Sequence, residues 1–86
     1  MTYGLYAVRD VKSHWLTPTM DVNDEVAIRN FAFAVQNPQN TSFHFAPKDF
    51  ALYRVGSFDL DTGVLTPCEP QFMVEAIDAI DWKGDV

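Results

Sequence analysis

The side chains of this 86-residue chain that can do covalent or metal chemistry are few and scattered. His14 and His44 are the only histidines, and Cys68 is the only cysteine. A zinc centre takes about four ligands, commonly supplied as short spaced pairs. Here His14, His44, Cys68 and a carboxylate would have to converge from three distant parts of the chain, so ordinary polar or surface histidines are the simpler account. A Cys–His nucleophile needs the thiol within hydrogen-bond reach of the imidazole and a third group to orient that base. Cys68 instead lies between Pro67 and Glu69, and the glutamate's charge opposes a thiolate. Asp59-x-Asp61-x-Gly63 begins like a calcium loop but lacks the later ligands and the glutamate at the twelfth position. A turn between two strands explains both aspartates. The glycines are dispersed and form no phosphate-cradling loop. We expect no catalytic residue, no metal site and no cofactor, in a protein that is not an enzyme.

Recognition chemistry is better represented. Aromatic side chains on a sheet face beside arginines can stack nucleic-acid bases. Tyr3, Tyr6 and Tyr53 with Arg9 and Arg54 are of the right types, and the candidate nucleic-acid contacts are Arg9, Arg29, Arg54 and Tyr53. Charge opposes that use. Twelve acidic and six basic side chains give a net charge of −6. Such a surface repels phosphates and anionic lipid, and nucleic-acid binders usually present a basic patch. A continuous basic groove around Arg9, Arg29 and Arg54 would favour DNA. Apolar patches around Val26, Phe33 and an open sheet face would favour protein partners or self-association.

These residues must be positioned by a small set of elements. Phe50–Phe58 reads as a strand, Asp59–Gly63 as a turn with an aspartate and a glycine to close it, and Val64–Thr66 as the returning strand, ending near Pro67. Phe50, Leu52 and Phe58 alternate to one side, Tyr53 and Val55 to the other. Both sides are apolar, so the strand is central or its second side meets a partner. Residues 3–9 form the first strand, Asp10–Ser13 a turn, and residues 14–17 a short second strand that Pro18 limits.

A helix follows over about residues 23–36. Asn23 or Asp21 caps it, and Asp24 and Glu25 favour its positive end. Ala27, Ile28, Phe31, Ala34 and Val35 make the core stripe, with Val26 and Phe33 on a flank that needs covering. Asn37-Pro38 ends the helix. Residues 37–49 form a loop pinned by Phe43 and Phe45, with a tight helical turn over 46–49. Residues 69–86 form an acidic segment, helical in part. The favoured reading starts a helix at Pro70 with Phe72, Met73, Ala76, Ile77 and Ile80 on one face, and an extended Phe72–Ala76 is the weaker one; Trp82 is either an anchor or a loose end. It docks on its own domain or on a partner.

The fold class is therefore α+β: one domain, residues 1–86, with a small four-stranded, mostly antiparallel sheet in ββαββ order. One main helix packs on it, and an amphipathic C-terminal segment follows. The second sheet face must be covered by the tail or by another copy. Burying roughly 500 Å² there is worth about 12 kcal/mol gross at about 25 cal/mol per Å². We expect a homo-oligomer, most simply a two-fold dimer. The candidate protein interface is Val26, Phe33, Tyr6, Tyr53, Val55 and Trp82. A lone cysteine gives no internal disulfide. The start of the chain lacks a signal-peptide pattern. No apolar run reaches the length of a membrane span, so no membrane partner is expected.

Four segments carry a resemblance: Tyr6-Ala7-Val8-Arg9-Asp10, Asn23-Asp24-Glu25-Val26-Ala27-Ile28-Arg29-Asn30-Phe31, Phe50-Ala51-Leu52-Tyr53-Arg54-Val55-Gly56-Ser57-Phe58-Asp59 and Thr62-Gly63-Val64-Leu65, the most telling part being Leu52–Asp59 with Thr62-Gly63. Over about residues 3–77 the chain resembles the small nonstructural, ORF5-type proteins of gokushovirus-like microviruses (Microviridae), bacteriophages with single-stranded DNA genomes. The resemblance implies a viral protein of the host bacterial cytoplasm, described loosely as DNA-binding. None of the matching segments is a catalytic motif. The expected function is that of a nonenzymatic phage accessory protein, acting through self-association and contacts with a phage or host protein. The alternatives are a single-stranded DNA-binding protein of genome replication or packaging, and an inhibitor of a host protein.

Overall fold

The computed structural model describes residues 1–83. Strand β1 spans Thr2–Asp10 and β2 spans Thr19–Asp21. Helix α1 is Asp24–Gln36 and α2 is Thr41–Phe45, followed by a 3-10 turn at Pro47–Asp49. Strands β3 (Phe50–Asp59) and β4 (Leu65–Glu75) and the short helix α3 (Ala76–Ala79) complete the order. The four strands form one sheet in the order β2-β1-β3-β4, antiparallel at every pairing. This is the expected α+β arrangement.

Local chemistry explains α1. The Asn23 side chain accepts from the Val26 N–H at 2.9 Å, and Asp24 and Glu25 occupy the first turn. Those carboxylates sit where the helix end is positive. Ala27, Phe31, Ala32 and Val35 are buried against the sheet. Tyr6, Phe50, Leu52, Ala76 and Ala79 complete the same core. Phe43 of α2 closes one end of it, edge-on to Phe31 at 5.8 Å and to Phe50 at 4.9 Å between ring centroids. Phe45 does not help, being 91% exposed, so Phe43 alone of that pair pins the loop.

Three expectations about the strands are corrected. Residues 14–17 are not a strand. They make a single bridge, Arg9 with Trp15, and β2 forms beyond Pro18, pairing Gly4–Tyr6 with Thr19–Asp21. Proline, with no N–H to give, interrupts the ladder between them. Second, no helix begins at Pro70. β4 continues to Glu75 because Phe72 pairs with Tyr53 and Val74 with Leu52, long-range partners that override the local 3.6-residue pattern. The helical part of the tail is only Ala76–Ala79. Third, Phe58 does not share a face with Phe50 and Leu52. On β1, Leu5 pairs with Gly56 and Tyr6 with Arg54, which leaves Val55 as an extra residue in a β-bulge. A bulge reverses the alternation beyond it, so Phe58 faces the same way as Tyr53.

Gly56 lies inside this irregular region for a reason of space. A Cβ there would meet the Thr66 carbonyl oxygen at 2.6 Å. Only glycine lets β3 and β4 approach so closely. In the turn that follows, Gly63 takes φ +76°.

Candidate functional site

All three helices pack on one face of the sheet. Ala76 and Ala79 of α3 belong to the core that α1 covers. The Gln36 side chain fastens the tail there, donating to the Ala79 carbonyl at 2.9 Å and the Trp82 carbonyl at 2.6 Å. The chain from Ala76 to Lys83 therefore does not cover the opposite face.

Cross-strand pairing orders that opposite face into four rows over β1, β3 and β4. They are Tyr3–Phe58–Leu65, Leu5–Gly56–Pro67, Ala7–Tyr53–Phe72 and Arg9–Ala51–Glu75. Residues paired across a sheet share a face. Met20 of β2 extends the second row, opposite Leu5. Three successive rows are apolar, apart from the tyrosine hydroxyls. Leu65 is 56% exposed, Phe72 54% and Met20 43%. Tyr3, Leu5, Tyr53 and Phe58 are half-buried. Trp15 leans in from the loop before β2, edge-on to Tyr53 at 5.0 Å between centroids, and Tyr53 is edge-on to Phe72 at 5.8 Å. The Arg9 guanidinium sits over the Trp15 ring, 5.7 Å from its centroid. That stacking restrains a long side chain at the rim of the face.

Tyr6 and Arg54 lie on the helix side instead. Tyr6 is fully buried, and its hydroxyl donates to Asp24 Oδ1 at 2.5 Å. Gly4, two residues before it on the same face, leaves the room: a Cβ there would strike the phenol. Arg54 Nη1 donates to the same Asp24 oxygen at 2.9 Å. Burial first, then donation to the Asp24 carboxylate, push the Tyr6 hydroxyl well above the usual phenol range. Tyr6 is thus withdrawn from the expected protein interface. It is a core residue that joins β1 to the start of α1.

The other candidate residues fall into separate groups. Phe33, 64% exposed, and Trp82 meet with Arg29 and Lys83 around a shallow cleft of about 220 Å³ between α1 and the chain beyond α3. Trp82 also packs against the core, and Val26 is half-buried in the first turn of α1. Val55 is half-buried at the bulge. Arg9, Arg29 and Arg54 lie on the open sheet face, the outer side of the helix and the covered sheet face, so they form no single basic groove. Trp15, Phe72 and Glu75 belong to the open face and were not anticipated there. Trp15 was expected within a strand and Phe72 on a helix. The short apolar run Phe72-Met73-Val74 is the available sign of an extended chain, and a register shift at Met73 sends Phe72 and Val74 to opposite faces.

Among the described residues no cluster of three or more His, Cys, Asp or Glu is placed to hold a metal ion. His14 Nδ1 lies 2.9 Å from the Trp15 carbonyl, whereas the exposed Cys68 thiol points at the Arg54 carbonyl, 3.8 Å away. No described helix is long and apolar enough to cross a membrane. What the open face offers is contact area: aromatic, apolar, and bordered by a cation at one end of its last row and a carboxylate at the other.

Residues 3–79 match the model of a family described as Phage ORF5 protein. No curated protein and no solved structure matches the chain.

Proposed function

The chain belongs to the Phage ORF5 protein family, and from that premise we propose a nonenzymatic accessory protein that acts through self-association and protein–protein contacts. Its setting is the cytoplasm of a bacterium infected by a single-stranded DNA phage of the gokushovirus type. One observation carries this reading: the sheet face opposite the helices is apolar across three successive rows, and Met20, Leu65 and Phe72 stand exposed along it. Apolar patches of several hundred Å² on small soluble proteins commonly mark contact sites. Sheets pack face to face at about 10 Å with their inner side chains interleaved, and rings such as Tyr53 and Phe72 suit that interface.

Sedimentation equilibrium over a concentration series tests it. The wild-type chain should assemble to twice its 9.7 kDa mass. Phe72→Asp, at a half-exposed edge position, should stay folded and monomeric. A wild-type chain that remains monomeric at hundreds of micromolar would contradict the reading.

The array Arg9–Trp15–Tyr53–Phe72 favours one alternative, the binding of single-stranded DNA by base stacking. A net charge of −6 opposes it. Titration of an oligodeoxynucleotide at low and moderate salt separates the two. Affinity that falls steeply with salt and is lost with Trp15→Ala would support DNA.

A further inference from the structure

The fourth row of the open face differs from the other three. It reads Arg9–Ala51–Glu75, a cation and a carboxylate at opposite ends with a small residue between them. We propose that the occupant of this face is a second copy of the chain, docked face to face about a two-fold axis running along β3, so that Arg9 of each copy meets Glu75 of the other. The inference rests on the self-association reading and adds its geometry.

Symmetry and charge lead to this arrangement. Two identical sheets that face each other are related by a two-fold axis lying in the plane between them. If that axis runs along β3, each β1 lies over the other copy's β4 and each row lies over its own image. The outer ends of the fourth row then bring Arg9 over Glu75 twice, while Tyr53 and Phe58 of both copies fill the centre. If the axis runs across the strands, the fourth row instead lies over Tyr3–Phe58–Leu65. Arg9 and Glu75 would then be pressed without partners onto apolar side chains, which is strongly unfavourable. The first arrangement pairs both charges of the four rows, and the second pairs neither.

Distance permits the pairing. Packed sheets lie about 10 Å apart, and an arginine and a glutamate extended toward each other span that gap. The usual crossing of about 30° displaces an end row by a few Å, within the reach of an arginine side chain. Stacking on the Trp15 ring already restrains Arg9, which lowers the entropy cost of pairing it. The opposite ends of the row also distinguish the occupant. A polyanion would gain from Arg9 and be repelled by Glu75, whereas an inverted copy of the same row gains from both.

Charge reversal tests the geometry. Dimer dissociation constants are measured by sedimentation for wild type, Arg9→Glu, Glu75→Arg and the double variant, with circular dichroism melts confirming that each is folded. Each single reversal should raise the constant at least about tenfold, because like charges then meet at two symmetric places. The double reversal should return it to within about threefold of wild type, since opposite charges meet again. Single variants that dimerise like wild type, or a double variant no tighter than the singles, would overturn the proposed axis. Phe72→Asp distinguishes the levels. If it abolishes dimerisation while the charge variants have no effect, the face stands and the axis falls. A monomeric wild type removes both.

Discussion

The Tyr6 hydroxyl donates to Asp24 Oδ1 at 2.5 Å, which joins the first strand to the first turn of the first helix. Arg54 reaches the same oxygen from the next strand. Tyr6→Phe removes one bond to a charged acceptor and should cost about 1 to 3 kcal/mol in urea unfolding at neutral pH. The alkaline limb gives a second signature. The Tyr6 hydroxyl is raised in the folded state, chiefly by burial, so the native protein favours its neutral form. That contribution is complete below the ordinary phenol value of about 10 and declines as pH rises above it toward the raised value. Wild type should lose stability faster than Tyr6→Phe between about pH 10 and 11. Parallel curves for the two proteins would refute this assignment.

At the β3–β4 turn the sign is reversed. The Asp59 carboxylate accepts from the Asp61 N–H at 2.8 Å, and that backbone bond is the main cause that holds its acidity below the usual aspartate value. A lowered carboxyl contributes stability above its unfolded value, and the contribution is lost as pH falls through the folded one. Asp59→Asn should therefore be less stable than wild type at pH 7, with the difference shrinking below about pH 4. Gly63→Ala, at φ +76°, should cost about 1 kcal/mol at either pH. Chemical unfolding at pH 7 and pH 3 checks both.

Gly56→Ala would place a Cβ 2.6 Å from the Thr66 carbonyl oxygen, a backbone atom that cannot move without parting β3 from β4. The expected loss is about 1 to 3 kcal/mol. Amide exchange should accelerate in β4 more than in β1. An alanine variant as stable as wild type would show that the strands do not approach so closely.

Gln36→Ala removes the two bonds that hold the Ala79 and Trp82 carbonyls. It should cost about 1 to 2 kcal/mol and shift Trp82 emission toward that of an exposed indole. Because this contact lies on the helix side, dimerisation through the opposite face should be unchanged.

Much of the fold is legible in the sequence where its causes are local. The Asn23 cap, the acidic first turn and the apolar stripe around Phe31 place α1, because capping and periodicity act within a few residues. β4 is different. Its path is decided by Tyr53 and Leu52, some twenty positions away, so Phe72 and Met73 also fitted a helical spacing. Face assignment fails for a related reason. The Val55 bulge changes which side Phe58 takes, and alternation alone gives no sign of an extra residue.

The candidate surface is half legible. Tyr53 and Arg9 carry the right chemistry and lie on the open face. Tyr6 has the same chemistry but alternates to the helix side and is consumed by Asp24. Trp15 and Glu75 acquire meaning only once Arg9 is seen between an indole and, across Ala51, a carboxylate.

The central claim is that the sheet face away from the helices is where copies meet. Hydroxyl-radical footprinting across a concentration series reads this directly, with Phe33 as an exposed reference on the helix side. As concentration rises, oxidation of Trp15, Tyr53 and Phe72 should fall while that of Phe33 stays constant. Protection of Phe33 instead, or no protection of any ring at the highest concentration, would contradict the account.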